Sequence, residues 1–216
     1  YTGTGSSNAI TGVGFQPDFV WVKDRGSANS NQLVDAVRGT SKIVFSDDAA
    51  VEATDAAGLT AFGADGFTVN TRAGFNANTN TYVGWNWKAG TTSGIAGSPS
   101  ITPTSYSFNA TSGFSIIAYT GTAVNATLPH GLGVAPGMII VKDLTSANDW
   151  AVYHQGMDAT APEDYFINLN LTSARSDNNV IWNDTAPTST LFSLGTGTYV
   201  NTSGNTYIAY CFAEKK

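Results

Sequence analysis

An all-β fold built twice is predicted by three observations. Charge is sparse, at 12% of residues, while glycine is abundant at 23 and Thr, Ser and Asn recur throughout. That balance disfavours long helices and suits short strands joined by turns. Apolar and polar residues alternate over short stretches bounded by Gly, Pro and Asn, the period of a half-buried strand. Finally, Phe15–Asp24 returns without a gap as Val134–Asp143, a spacing of 119 positions. Each copy reads as a Pro-led turn entering an apolar strand that ends on a Lys-Asp pair, Lys23-Asp24 or Lys142-Asp143. The prediction is two tandem β-sandwich units of jelly-roll or lectin-like type, arising from an internal duplication. Residues 1–90 form the first unit, 91–105 a linker and 106–216 the second.

The chain opens on Tyr1-Thr2-Gly3-Thr4, which recurs as Tyr119-Thr120-Gly121-Thr122. In the second copy a clear strand, Gly113–Ala118, precedes the motif, and the first copy lacks it. Residue 1 is therefore expected just after or inside a strand, in a chain cut from something longer. An exposed edge, or a strand supplied from elsewhere, should lie nearby. Strands are predicted at Phe19–Asp24, Gln32–Val37, Lys42–Ser46, Leu59–Phe62 and Phe67–Val69, with Ala64-Asp65-Gly66 as a hairpin turn. Asp47–Ala57, rich in Ala and acids, is the one place that suits a helical turn. The unit closes on Asn80–Lys88, where Val83, Trp85 and Trp87 share the face expected in the core. The linker carries Pro99 and Pro103 and no periodicity. The second unit then repeats the order: Ser146-Ala147-Asn148 answers Ser27-Ala28-Asn29, and Trp150–His154 stands where Asn31–Asp35 stood. Asn205–Phe212 answers Asn80–Trp87 at a spacing of 125, so six added residues fall inside the second unit.

Chemistry is thinly written. A net charge of −6 provides few cations to replace phosphate counterions, which argues against nucleic acid as a partner. No apolar run approaches the roughly 20 residues that span a bilayer, so membrane insertion is not expected. The single cysteine, Cys211, forms no internal disulfide and reads as a buried strand residue. His130 lies in a turn and His154 ends a strand, where the other copy has Asp35. No Gly-x-Ser-x-Gly elbow is present. The acids sit in turns, and Asp47, Asp48, Glu52 and Asp55 lack the spacing of a calcium loop. The expectation is no enzyme, no catalytic residue, no metal and no cofactor. Aromatic rings with Asn and Asp neighbours suit a sugar. Trp182, Asn183 and Asp184, bordering polar loops, are the candidate ligand contacts, whereas Trp21, Trp85 and Trp87 are expected to build core.

One series of motifs runs Tyr119–Thr122, His130–Lys142, Asp149–Gly156, Trp182–Gly195 and Asn205–Glu214, with Gly14–Arg25 and Tyr82–Gly90 in the first unit. Together these resemble a repeat found in virion proteins of tailed bacteriophages, notably marine ones, of tail-fibre type. The resemblance covers nearly the whole chain. It implies a structural protein of the virion, exposed and contributing to host attachment. Its partners would be other virion proteins, copies of itself (trimeric, as phage fibres commonly are) and a host-surface glycan. Capsid decoration or a head fibre is the alternative within a virion. A secreted carbohydrate-binding module is the alternative outside one.

Overall fold

The structure, a computed structural model, describes residues 1–215. It is nearly all β, made of antiparallel sheets, and divides into two compact units, residues 1–89 and the chain from Gly90 onward.

The first unit runs β1 (Asn8–Ile10), β2 (Phe19–Asp24), β3 (Gln32–Asp35), β4 (Lys42–Phe45), β5 (Ala53–Thr54), β6 (Leu59–Gly63), β7 (Gly66–Val69), the single helical turn α1 (Ala73–Asn76) and β8 (Tyr82–Trp87). One sheet has the order β5-β4-β3-β2-β8 and the other β1-β7-β6. Val20, Val22 and Val34 of the larger sheet share a core with Leu59, Phe67 and Val69 of the smaller. Burial of each such side chain stabilises the unit by about 1.5–3 kcal/mol.

Two local expectations differ from what forms. β3 stops at Asp35, because the Asp35 carboxylate accepts the backbone N–H of Val37 and Arg38 and turns the chain outward. Asp47–Ala57 holds no helix. Asp48 and Asp55 each bind a backbone N–H two residues on, at Ala50 and Ala57, a local bond that competes with helix formation. Glu52 is drawn instead to Arg38 and Lys42, and Asp55 to Arg72.

β8 has the expected period of two, but its faces are exchanged. Tyr82 is buried in the core and Gly84 lies beneath Phe67, whereas Trp85 is 47% exposed. The period tells which residues share a face; here the space left by Gly84 under Phe67 decides which face turns inward.

The second unit contains β9 (Ser105–Asn109), β10 (Phe114–Thr120), β11 (Ala126–Pro129), β12 (Met138–Asp143), β13 (Ala151–His154), a 3-10 turn at Pro162–Asp164, β14 (Tyr165–Asn168) and β15 (Ser176–Asp177). It continues through the helical turn α2 (Asn179–Trp182), β16 (Leu191–Leu194), a third turn α3 (Thr198–Asn201) and β17 (Thr206–Phe212). Its large sheet has the order β15-β14-β13-β12-β17-β10-β9, and β11 pairs with β16. Tyr119, Val141, Tyr153, Phe192 and Tyr207 lie in its core. The stretch read as a linker belongs to this unit. Thr91 exchanges both backbone bonds with Phe108, and Ile101 is buried with its N–H on Thr127 O.

The units share an internal pattern. β8 runs along β2 with Phe19 opposite Trp87 and Asp24 opposite Tyr82, and β17 runs along β12 with Met138 opposite Phe212 and Asp143 opposite Tyr207. The β1–β7 pair has its counterpart in β11–β16.

Candidate functional site

A solvent-open aromatic surface lies on the first unit, where β2 and β8 run side by side. Cross-strand partners in an antiparallel pair project to one face. The pairings Phe19–Trp87 and Trp21–Trp85 therefore gather four rings on the face of the sheet opposite Val20 and Val22. Trp21 and Trp85 meet edge to face, with centroids 6.2 Å apart at 68°. Trp87 lies 6.5 Å from Trp21 and 5.1 Å from Phe19, both at tilted angles. Three indoles, Trp21, Trp85 and Trp87, line a shallow groove of about 260 Å³. Non-parallel ring planes leave more than one indole surface available, the arrangement that holds a flat ring carrying apolar C–H faces. Sequence reasoning placed these indoles in the core. Both alternate sets of β2, Phe-Trp and Val-Val, are apolar, so periodicity alone does not choose between them.

The predicted contact triplet is only partly at the surface. Trp182, expected at a ligand contact, is 2% exposed and packs edge-on against Tyr153 in the core, so little of its ring is open to solvent. Its α2 turn is capped by Asn178, and Asn183 follows in the left-handed conformation. The Asn183 side-chain oxygen accepts the amide of Asn125, which holds it locally. Only Asp184 of the three is exposed.

The Lys-Asp strand ends resolve into a loop lock made twice. Asp24 Oδ1 accepts Gly26 N and Ser27 N, and its Oδ2 accepts Asn29 Nδ2 at 2.8 Å and Asn80 Nδ2 at 3.0 Å. Asp143 does the same with Thr145 N, Ser146 N, Asn148 Nδ2 and Asn205 Nδ2. Lys23 and Lys142 each donate to the carbonyl of the loop asparagine, Asn29 or Asn148. Burial pushes the Asp24 carboxyl up, but the donors on Asn29, Gly26, Asn80 and Ser27 outweigh it and hold the pKa below the ordinary value. These charges are occupied in shaping loops and present no free group to a substrate.

Two further reactive side chains, His130 and Cys211, are buried. His130 is fully buried; its Nδ1 accepts Leu132 N and its Nε2–H donates to Thr188 O at 3.1 Å, and burial lowers its pKa. Cys211 is buried, which pushes its thiol up to about 12. Asp164 is pushed up by burial and then by the carboxylates of Asp184, Glu163, Asp177 and Asp158. Among the described residues no three His, Cys, Asp or Glu side chains are placed to hold a metal ion. A second, polar groove of about 320 Å³ on the first unit includes Asn29, Gln32, Phe45 and Arg72. Arg72 lies over the Phe45 ring and donates to Gln32 Oε1 at 3.0 Å, which fixes one wall.

Fold and surface together define a nearly all-β protein whose polar side chains lock loops and which opens one aromatic and one polar groove to solvent. Within that class, the chain belongs to a domain family of unknown function, DUF7483, whose model matches residues 1–216. No curated protein and no solved structure matches it.

Proposed function

We propose that this protein is an exposed structural module of a tailed-bacteriophage virion, of tail-fibre type, that contributes to host attachment without catalysis. In this reading its two units are β-sandwiches descended from one duplicated ancestor. The Asp24 and Asp143 loop locks, matched donor for donor, support common descent. The motif series Tyr119–Thr122, His130–Lys142 and Asn205–Glu214 supports the virion assignment. The observation that carries attachment is the groove of Trp21, Trp85 and Trp87, open to solvent on a sheet face, and a host-surface glycan is the ligand it suits. A non-catalytic role agrees with His130 and Cys211 being buried and committed.

The test has two arms. Immunogold labelling with an antibody against this chain should decorate purified particles. Free protein in culture fluid with unlabelled particles would instead favour a secreted carbohydrate-binding module, a reading that the same groove supports. Titration of host-surface polysaccharide should quench tryptophan fluorescence, and Trp85→Ala should weaken binding about tenfold. Unchanged affinity in that variant would remove the groove from the attachment role.

A further inference from the structure

β8 is the edge strand of its sheet, while β17, its counterpart, is interior. β17 pairs with β12 on one side and along seven residues with β10 on the other, from Phe114 opposite Phe212 to Thr120 opposite Thr206. Tyr1 holds the place that Tyr119 holds at the end of β10. Its amino group donates to Tyr82 O at 3.0 Å and its carbonyl accepts Tyr82 N at 2.8 Å. The Tyr1 and Tyr82 rings stack at 5.1 Å and 14°, as Tyr119 and Tyr207 do at 5.1 Å and 15°. The Tyr1 and Tyr119 hydroxyls donate to Phe75 O and Val200 O, both at 2.7 Å. One residue of a strand is thus already seated in register.

Beyond it the ladder stops. Arg25 N bonds Thr81 O, so the backbone groups of Val83, Trp85 and Trp87 point toward β2 and those of Tyr82, Gly84 and Asn86 point to the free edge. Tyr1 satisfies Tyr82, and among the described residues no strand pairs with Gly84 or Asn86 on that side. The Asn86 side chain folds back, its Nδ2 donating to Gly84 O at 3.3 Å, and its buried Oδ1 has no hydrogen-bond partner. In the second unit the equivalent positions, Ala209 and Cys211, face Ile117 and Ser115.

We propose that the edge of β8 left unpaired among the described residues is an acceptor site for one antiparallel strand, and that a segment joined to the amino group of Tyr1, apolar like the β10 lead-in, is the strand that fits it. The residue two before Tyr1 would lie opposite Gly84 with an aliphatic side chain toward the core. The residue four before would lie opposite Asn86, and a hydroxyl there would donate to the orphaned Oδ1. The side chains of the residues three and five before would fall beside Trp85 and Trp87 and raise one wall of the indole groove. The proposal stands whether or not that groove binds glycan.

The experiment fuses Gly-Phe-Ser-Ile-Ile-Ala, the β10 lead-in, directly ahead of Tyr1 in the full chain and follows amide hydrogen exchange. Protection of the Gly84 and Asn86 amides should rise at least about a hundredfold, as for amides drawn into a stable ladder. Replacing the second Ile of the fused segment, the residue opposite Gly84, by Pro should abolish the gain while other amides keep their protection. Unchanged exchange at Gly84 and Asn86 in the fused chain would overturn the proposal. So would protection of both amides in the unfused chain through dimer formation, or protection by the free hexapeptide but not by the fused one.

Discussion

Asp143 is buried and accepts four donors, so removing it strands two backbone N–H groups and takes one acceptor from each of two asparagine amides. Asp143→Ala should cost about 2–3 kcal/mol in urea unfolding, the range for deleting a buried charged acceptor. Asp24 adds a pH term of known sign. Its folded pKa is depressed, so its contribution is present above the ordinary carboxylate value of about 3.9 and is lost as pH falls through the lower folded value. Asp24→Asn should therefore reduce the loss of stability in acid melts below about pH 4. His130 acts at higher pH by the same logic. Burial lowers its folded pKa, so below about 6.5 the unfolded chain takes up a proton that the folded chain resists. Its contribution is full above that value and declines beneath it, and urea midpoints at pH 7.5 and 5.5 should converge in His130→Asn. The Lys-Asp ends were visible in the sequence as a repeated motif. Their role was not, because one asparagine of each lock, Asn80 or Asn205, comes from the far end of the unit.

At the scale of elements, the glycine of the repeated Tyr-Thr-Gly motif has a steric cause in both copies. A Cβ on Gly3 would lie 2.1 Å from Ala77 O, and one on Gly121 would lie 2.3 Å from Thr202 O, where each chain crosses the exit of α1 or α3. Backbone cannot yield as a flexible side chain can, so Gly3→Ala and Gly121→Ala should each destabilise by about 1–3 kcal/mol or more, read as a lowered urea midpoint. β8 carries the opposite lesson. Alternation in Tyr82–Trp87 sorted the side chains into two sets correctly, and the set richer in aromatic surface faced outward. Tyr82 is fastened at the inner face by its hydroxyl on Ala73 O, and Gly84 gives Phe67 its space. Neither partner adjoins β8 in sequence, so hydrophobicity alone pointed the wrong way. The Asp47–Ala57 stretch failed for a similar reason: Glu52 finds Arg38 and Lys42, partners that a helix-propensity argument does not see.

Across the whole molecule, aromatic surface on a strand-built scaffold should be separable from stability. Trp85 is exposed and loses little packing on truncation, so Trp85→Ala should change the melting temperature by no more than about 1–2 °C while weakening polysaccharide binding. A large loss of stability would mean that the indole face is structural. By itself the sequence determined the β class, through composition and a period of two. It also determined which segments recur, since Phe15–Asp24 and Val134–Asp143 align without a gap. Only the tertiary structure decided that Trp182 is core and that Trp85 is surface. It alone joined residues 91–105 to the second unit and left β8 as an edge. The physical reason is the same in each case. Periodicity and turn chemistry are local and survive in the linear chain, whereas the side of a sheet that is covered depends on residues distant in sequence that pack against it.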